Sequence, residues 1–378
     1  MSQEQNTVST HRHYMLAEIY QQPQAIRDTV QRHIAEDLIF AGELNSIESA
    51  LLTFRKIIIA ASGSSRHAGL AGEIIIEDLT GMAVEVEYAS EYCYRSTHAG
   101  ADPIVMVITQ SGETADVIAA QREALARGAK TIAVSNVEDS TISRESSALL
   151  LTHAGPELAI PATKSFTAQL TVLHLFALFL ARKRGRMTSE VIRAHLRALC
   201  EVPKLMEGAL ASWEEQAKTY ARDFLNAQTF LYLGRGVHYA IAREGALKLK
   251  EVSYVHAEGY PTGELKHGPQ ALIDELTPIV AVVTCDRHDP DSQLRYQKSL
   301  GTLRDARQNG AKLLLIATEG DPEPATIADH VFYVPRASEH LLPLLEVLPL
   351  QLFAYYTAVL NGYDVDRPRY LAKSVVRE

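Results

Sequence analysis

The stretch Arg55–Gly63 (RKIIIAASG) joins a short aliphatic run to a serine and a glycine, and an apolar-periodic pattern follows it as far as Leu79. The same arrangement returns at Thr229–Gly236 (TFLYLGRG), with a helical pattern that reaches Val252. A short apolar run that ends at glycine before a helix is typical of a buried strand in a parallel α/β sheet. Its recurrence indicates an internal repeat.

Each unit continues in the same order, with a proline-led aliphatic run, a helical pattern, the tripeptide Gly-Ala-Lys and a last aliphatic run. These segments are Pro103–Ile108, Gly128–Lys130 and Thr131–Val134 in the first unit, and Pro278–Val283, Gly310–Lys312 and Leu313–Ala317 in the second. We expect the glycine of each tripeptide to end a helix before the next strand. The sequence therefore predicts an α/β protein with two doubly wound parallel-sheet domains related by duplication.

Helical segments surround these two domains. Residues 13–52 predict N-terminal helices with a break at Pro23, and residues 188–227 predict an inter-domain helical hairpin that opens at Thr188. The cationic run 182–186 fits either an anion-binding patch or cations at a helix C-terminus followed by a linker, and the second interpretation is favoured. A polar tail begins near Asp364.

Composition limits the classes of function. The chain has 378 residues, with 37 Lys and Arg against 46 Asp and Glu, for a net charge of −9. This acidic balance argues against a nucleic-acid or membrane-surface partner. The polar N-terminus lacks the apolar core of a signal peptide, and the longest apolar run, Leu170–Ala181, is too short to span a bilayer. Three widely spaced cysteines predict neither a disulfide framework nor a zinc site, so we expect a cytoplasmic protein.

Small hydroxyl residues and glycine follow two strands of the first unit, in the loops 62–65 (SGSS) and 109–114 (TQSGET). Backbone N–H groups at a helix N-terminus, together with Ser and Thr hydroxyls, form a neutral cradle for a phosphate dianion. The same residues are also common helix caps, although two such loops in one unit favour phosphate binding. Neither loop is a Walker A or GxGxxG motif, so nucleotide binding is not favoured and no metal or cofactor is predicted.

The second unit carries charged side chains at the corresponding place. Lys248 and Glu251 are three residues apart on the predicted helix and therefore share a face. A solvated charged face, with Glu244 and Lys248 as an i,i+4 pair, is one interpretation of this pattern, and a functional pair of Lys248 and Glu251 is the other. The loop 263–269 (GELKHGP) brings a carboxylate, an amine and an imidazole together, a combination suited to proton transfer. The residues alone leave both alternatives open.

Four segments in this order resemble the isomerase half of the glucosamine-6-phosphate synthase family, which consists of two sugar-isomerase (SIS) domains. They are Gln110–Asp116 (QSGETAD), Glu244–Glu251 (EGALKLKE), Gly263–Pro269 (GELKHGP) and Leu371–Ser374 (LAKS). The resemblance extends from His13 to the C-terminus. It implies an N-terminal helical segment 1–52, a first SIS domain 53–187, inter-domain helices 188–228, a second SIS domain 229–363 and an active-site tail 364–378.

The resemblance also implies roles for individual residues. A sugar-phosphate pocket is implied at Ser64, Ser65, Thr109, Gln110, Ser111, Thr114, Ile160 and Arg369. Glu251 matches the carboxylate that moves a proton between carbons 1 and 2 of the open-chain sugar. Lys248 lies one turn away, where it is placed to assist at the polar groups of the sugar, and Lys373 matches a tail lysine held over the sugar. His267 matches a ring-opening acid/base contributed by the neighbouring subunit of a dimer. At 160–164 the family's Val-Ala-Ser-Thr-Lys reads Ile-Pro-Ala-Thr-Lys, which removes one serine hydroxyl from the sugar side.

The activity implied is the interconversion of fructose 6-phosphate and glucosamine 6-phosphate with free ammonia, as a deaminase or as an ammonia-dependent synthase. The chain reaches the isomerase motifs at once, so we expect no glutaminase activity and ammonia from solution or from a separate protein. Another ketose/aldose 6-phosphate isomerase or a fructosamine-6-phosphate deglycase is the alternative on the same scaffold. A non-catalytic sugar-phosphate sensing module is disfavoured, because Glu251, His267 and Lys373 are all present.

Overall fold

The N-terminal part of the chain is mostly helical. A computed structural model describes residues 11–35, 38–40, 42–95 and 103–375, so the ends of the predicted segments 1–52 and 364–378 lie outside the described residues. The elements are α1 (Tyr14–Tyr20), α2 (Gln22–His33), β1 (Ile34–Ala35), β2 (Leu38–Ile39), a 3₁₀ turn (Asn45–Ile47) and α3 (Glu48–Thr53). Pro23 lies in the first turn of α2, where a proline is tolerated. The antiparallel pair β1–β2 was not predicted, because two-residue strands are too short to give an alternating pattern.

The first α/β half contains one five-stranded parallel sheet. Its elements are β3 (Lys56–Ala61), α4 (Gly63–Thr80), β4 (Ala83–Tyr88), α5 (Ala89–Tyr92), β5 (Ile104–Thr109), α6 (Ala115–Ala126), β6 (Lys130–Ser135), α7 (Thr141–Glu145), β7 (Ala148–Leu151) and α8 (Lys164–Lys183). The strand order is β4-β3-β5-β6-β7, and each neighbouring pair is parallel.

The second half repeats this architecture after one long helix. Its elements are α9 (Ser189–Asp223), β8 (Thr229–Gly234), α10 (Val237–Ser253), β9 (His256–Pro261), 3₁₀ helices Thr262–His267 and Pro269–Leu272, β10 (Ile279–Val283), α11 (Pro290–Gln308), β11 (Leu313–Thr318), a 3₁₀ turn (Pro324–Thr326), β12 (His330–Val334) and α12 (Leu342–Leu360). The order β9-β8-β10-β11-β12 is that of the first sheet. The predicted pair of doubly wound α/β units is therefore confirmed.

The glycine of each Gly-Ala-Lys tripeptide ends a helix, as predicted. Gly128 follows α6 with φ +84°, and Gly310 follows α11 with φ +95°. An L-residue with a side chain rarely adopts this conformation, so glycine is the favoured residue there.

The predicted inter-domain hairpin is wrong, because residues 189–223 form one helix. The Thr188 hydroxyl accepts a hydrogen bond from the N–H of Val191 and caps the helix at the predicted start. A buried stripe continues without a phase break through Pro203, so a single apolar face is covered from end to end. The stripe consists of Ile192, Leu196, Leu199, Val202, Met206, Leu210 and Trp213.

The centre of the protein is built from helices of both halves. Helix α4 packs against α8 and α10, and α10 packs against α12, so α4 and α10 join the two halves. By length and composition, α8 and α12 are each long and apolar enough to cross a membrane. At 20 residues, α8 is longer than the apolar run Leu170–Ala181, which on its own is too short to do so. Both helices are buried within the protein, which is the ordinary position of an all-round apolar core helix.

Candidate active site

The two sheets each have a topological switch point, where strand order reverses between the first and third strands. Ligands of open α/β sheets bind outside the carboxyl ends of the strands at such a point. In the first sheet this point lies between β3 and β5, which pair directly, so the loops 62–65 and 109–114 are adjacent. The contact of α4 with α10 brings charged residues of the second half to the same edge.

A buried charged cluster lies on α10. The Lys248 side chain is fully buried and forms an ion pair with Glu251, and its Nζ lies 3.6 Å from Glu244 Oε1. The solvated-face interpretation of these residues is therefore wrong. Burial raises the pKa of Glu251 against the opposing effect of Lys248. Burial disfavours the Lys248 charge, but Glu251 and Glu244 outweigh it and raise the pKa of Lys248.

Glu244 connects this cluster to the first half. It is fully buried, and its two carboxylate oxygens bond Ser64 Oγ and His67 Nδ1, each at 2.8 Å. Burial lowers the pKa of His67, although Glu244 opposes that effect. Sequence reasoning gave no site role to Glu244 or His67. The position of Glu244, four residues before Lys248, was the available signal for Glu244, whereas nothing in the sequence marked His67.

Two predicted phosphate-binding serines accept hydrogen bonds in this structure. Ser65 Oγ accepts from Gln169 Nε2 at 3.0 Å, and Ser111 Oγ accepts from the N–H of Glu113 at 3.2 Å. Each hydroxyl hydrogen is therefore left to donate to an anion. Ser64 differs, because its hydroxyl already donates to Glu244.

The loop 109–114 has a tightly fixed backbone. Thr109 Oγ1 accepts from the N–H of Gly112 at 3.2 Å and lies 3.3 Å from Thr114 Oγ1. Gly112 has φ +69°, and a Cβ built there would lie 1.9 Å from Ser140 Oγ, so this position requires glycine. Gln110 lines an open cavity of about 830 Å³, together with residues such as Asn136 and His153.

The helix-cap alternative does not account for the two loops. Neither Ser62, at the N-cap of α4, nor Thr114, at the N-cap of α6, makes a side-chain capping hydrogen bond. The first N–H of α6, that of Ala115, bonds instead to the carbonyl of Val375 in the C-terminal tail at 2.9 Å. The tail therefore crosses the start of α6, next to the predicted phosphate position.

Lys373 of the tail is held at the same edge of the sheet. Its Nζ donates to Glu157 Oε2 and to the carbonyl of Ala159, each at 2.6 Å. Glu157 is buried and also accepts from the N–H groups of Thr163 and Ser165. Burial opposes its charge, but Lys373 and these donors lower the pKa of Glu157. No sequence signal identified Glu157, because its partners are distant along the chain.

A second buried carboxylate supports the Glu157 loop. Glu18 of α1 accepts hydrogen bonds from the N–H groups of Leu158 and Ala159. Burial raises the pKa of Glu18 to about 7, and the neighbouring Glu157 adds to the effect. The protonation state of Glu18 is therefore linked to the loop that holds Lys373.

The remaining predicted residues occupy different surroundings. The N–H of Ile160 donates to the carbonyl of Asp366 at 3.0 Å, so Ile160 borders the tail. Arg369 stacks on Tyr254, with 4.1 Å from its guanidinium carbon to the ring centroid. His267 is exposed at the end of the 3₁₀ helix after β9. Within the described residues no hydrogen bond or ion pair joins His267 to Lys248, Glu251 or Lys373.

At the switch point of the second sheet, charged side chains form ion pairs with one another. His238 at the start of α10 lies between Glu339 (3.1 Å) and Glu346 (2.8 Å), and Arg295 bonds Glu339 at 2.7 Å. Burial alone would lower the pKa of His238, but the two carboxylates raise it to about 10. The pKa of Glu339 is lowered to about 2 by the same contacts, against burial. Two internal carboxylates thus compensate the charge of His238 at this edge of the second sheet.

Comparison with known proteins agrees with this architecture. The SIS domain family matches residues 51–179 and 223–361. A glutamine–fructose-6-phosphate aminotransferase (isomerizing) of Chlorobaculum tepidum is 44% identical over 97% of this chain and 58% of its own length. The C-terminal domain of glucosamine-fructose-6-phosphate aminotransferase from Francisella tularensis superposes with a TM-score of 0.88 and 34% identity, over 95% of this chain and 99% of that one.

A more distant solved structure shares the fold. The glucosamine-6-phosphate deaminase of Thermotoga maritima has a TM-score of 0.71 at 22% identity, over 96% of this chain and 99% of that chain. The chain therefore covers nearly all of the solved C-terminal domain from Francisella tularensis. It spans only about 58% of the length of the Chlorobaculum tepidum protein.

Proposed function

The chain belongs to the SIS domain family, matching the C-terminal, isomerase part of the glutamine–fructose-6-phosphate aminotransferases, and on this premise we propose that it interconverts fructose 6-phosphate and glucosamine 6-phosphate with free ammonia. The observation that carries the proposal is the ion pair between the buried Lys248 and the half-buried Glu251, beside the two hydroxyl loops. The chain spans about 58% of the curated relative, so the glutamine-dependent reaction of the whole protein is not assumed.

Glu251 is the proposed proton carrier between carbons 1 and 2 of the open-chain sugar. Burial raises the pKa of Glu251 toward neutral pH. A general base is most effective when its pKa lies near the pH at which the enzyme works. Lys248 stays charged beside it and stabilises negative charge that develops on the sugar oxygen. Glu244 holds this lysine from the other side and fixes its direction.

The phosphate is proposed to bind at the loops 62–65 and 109–114. The Ser65 and Ser111 hydroxyls are both free to donate, and side chains do not cap the helices that follow. Binding energy from the phosphate then orients the reacting end of the sugar, which lies several bonds away. Lys373, held by Glu157, is proposed to cover the sugar from the tail.

A homodimer is proposed because, among the described residues, His267 makes no hydrogen bond or ion pair with the other proposed catalytic residues of its own chain. It is exposed in the 3₁₀ segment after β9, where a second copy is able to receive it. In this arrangement His267 of one copy opens the sugar ring and Glu251 of the other transfers the proton. The active site then exists only in the dimer.

The decisive experiment incubates the purified protein with glucosamine 6-phosphate and follows ammonia and fructose 6-phosphate. The reverse reaction is run from fructose 6-phosphate with ammonium or with glutamine. Equal release of ammonia and fructose 6-phosphate supports the proposal. Aldose–ketose conversion without ammonia identifies an isomerase, ammonia released only from fructosamine 6-phosphate identifies a deglycase, and tight binding without turnover identifies a sensing module.

A further inference from the structure

A second cavity, here called the junction cavity, lies where the two halves meet. It has a volume of about 350 Å³ and lies between α4, α10 and the edge strands β4 and β9. Its lining includes Arg66, Tyr88, Arg243, Lys250 and Glu258. The side chains predicted to bind the sugar phosphate do not line it, but Gly63 of the loop 62–65 and His67 do, so the junction cavity borders the candidate active site.

The junction cavity carries an excess of positive charge. Arg66, Arg243 and Lys250 contribute cations, and Glu258 is the only carboxylate among the described residues that line it. Glu258 already accepts a hydrogen bond from the Tyr260 hydroxyl. The surplus of cations predicts an anionic occupant, because charges gathered in a partly closed cavity repel one another without a counter-ion.

Arg66 provides the most specific evidence for a ligand. It is only 8% exposed, and its Nε and Nη1 atoms are buried without a hydrogen-bond partner among the described residues. The guanidinium stacks on Tyr88, with 3.6 Å between its carbon and the ring centroid, so its face is covered while its donors stay unused. Buried polar donors are almost always satisfied in folded proteins, and two unsatisfied donors on one cation need an explanation.

Arg243 is held beside it by neutral groups. Its Nη2 donates to the Tyr88 hydroxyl at 3.1 Å, and its Nη1 donates to the Tyr239 hydroxyl at 3.3 Å. Tyr88 therefore contacts Arg66 through its ring and Arg243 through its hydroxyl. This arrangement orients two guanidinium groups without neutralising either. Planar guanidinium donors match phosphate and carboxylate oxygens, and paired arginines favour a doubly charged phosphate.

We propose that the junction cavity binds the phosphoryl group of a small phosphorylated metabolite, as a second anion site separate from the proposed sugar-phosphate pocket. The volume lies at the lower end of the range for ligand pockets, which fits a small metabolite. The site also adjoins the proposed chemistry, because His67 lines the cavity and bonds Glu244. An occupant would therefore contact a residue that helps to hold Lys248.

Calorimetric titration with inorganic phosphate tests the proposal without relying on sugar chemistry. We expect two phosphates per chain, one weakened at least tenfold by Arg66→Gln or Arg243→Gln and the other weakened by Ser111→Ala. Arg222→Gln is the matched control, because Arg222 is exposed on α9, which packs at the β12 side of the second sheet. Melting temperatures verify that each variant is folded, and Arg243→Gln serves if Arg66→Gln does not fold.

The outcomes separate this site from the proposed function. A phosphate site that disappears with Arg66→Gln and persists with Ser111→Ala supports the junction cavity, even if the enzyme assays fail. One site that depends on Ser111 alone, with no change in either arginine variant, overturns it. The proposal is also overturned if the two arginine variants bind phosphate like the parent but no longer form the dimer in sedimentation experiments. The arginines would then serve the contact between copies.

Discussion

The Nζ of Lys373 donates to Glu157 Oε2 at 2.6 Å, although the two residues are 216 positions apart in the sequence. Their contact joins the C-terminal tail to the loop between β7 and α8. The buried Glu157 carboxylate therefore anchors the long side chain of Lys373. The carbonyl of Ala159 is the second acceptor for the same ammonium group. The position of the lysine therefore depends on Glu157.

The change Glu157→Gln removes the charge that holds Lys373 while keeping the shape of the side chain. We expect kcat to fall roughly 10- to 100-fold with a smaller change in KM, because misplacing a catalytic group by about 1 Å costs that much. Steady-state kinetics in the glucosamine 6-phosphate assay measures the effect. Glu215→Gln, at an exposed position on α9, is the control. Equal loss of activity in both variants would argue against a role specific to Glu157.

The change Glu251→Gln is expected to lower turnover at least 100-fold, the contribution of a positioned general base, while sugar-phosphate binding changes little. In the parent enzyme, activity should rise with pH through a midpoint above the ordinary value of 4.5, since burial raises the pKa of Glu251. A pH–rate profile and a binding titration check both points. Near-normal turnover in the variant would remove Glu251 from the mechanism.

The changes Ser65→Ala and Ser111→Ala should act on affinity for phosphorylated sugars. Each removes a hydroxyl that is free to donate to the dianion, a charge-assisted bond of about 1.5–3 kcal/mol. Titration with glucosamine 6-phosphate should show binding weakened roughly 10- to 150-fold. Ser212→Ala, at an exposed position on α9, is the control. Unaltered affinity in both variants would make these serines structural only.

Mixing two inactive variants tests the shared site. His267→Ala and Glu251→Gln proteins should each be inactive alone and regain part of the activity after subunit exchange, because some mixed dimers hold one intact site. Activity should also fall on dilution below the dimer dissociation constant. Exchange is verified by mass-tagged subunits. Complete exchange without recovery would assign both residues to the site of a single chain.

Glu18 should make stability depend on pH. Its folded pKa of about 7 lies above the ordinary 4.5, so its favourable contribution is complete below pH 4.5 and is lost as pH rises through 7. Linkage sets this loss at up to about 3 kcal/mol. Glu18→Gln should therefore gain stability relative to the parent between pH 5 and pH 8, as measured by melting temperatures. A constant difference between the two proteins across that range would contradict the raised pKa.

The parallel architecture was predictable because its signals are local. Buried runs such as Ile104–Ile108 are continuously apolar, and the glycines after α6 and α11 end their helices by conformation alone. The edge strands β4 and β9 were not predicted, because polar residues interrupt their apolar runs, Glu85 and Glu87 in β4 and His256 and Glu258 in β9. The helical hairpin failed because Pro203 sits within an unbroken apolar stripe.

The candidate site was predictable only where motifs carry it. Lys248 and Glu251 could be paired from their spacing, because residues three apart share one face of a helix. His67 and Glu157 could not be found, because each meets its partner only after the chain has folded. Their importance comes from tertiary contacts that no local pattern records.

The ion pairs around His238 make the two halves of the duplicated fold differ in how they are stabilised. The second sheet's edge is complete without any ligand, because Glu339 and Glu346 already compensate His238. At the loops 62–65 and 109–114 of the first sheet, the Ser65 and Ser111 hydroxyls donate to no carboxylate among the described residues. We therefore expect a phosphorylated sugar bound at these loops to stabilise the first sheet's edge more than the second's. Amide hydrogen exchange should slow in those two loops when an anion binds, while the loop 284–289 keeps the rate set by folding alone.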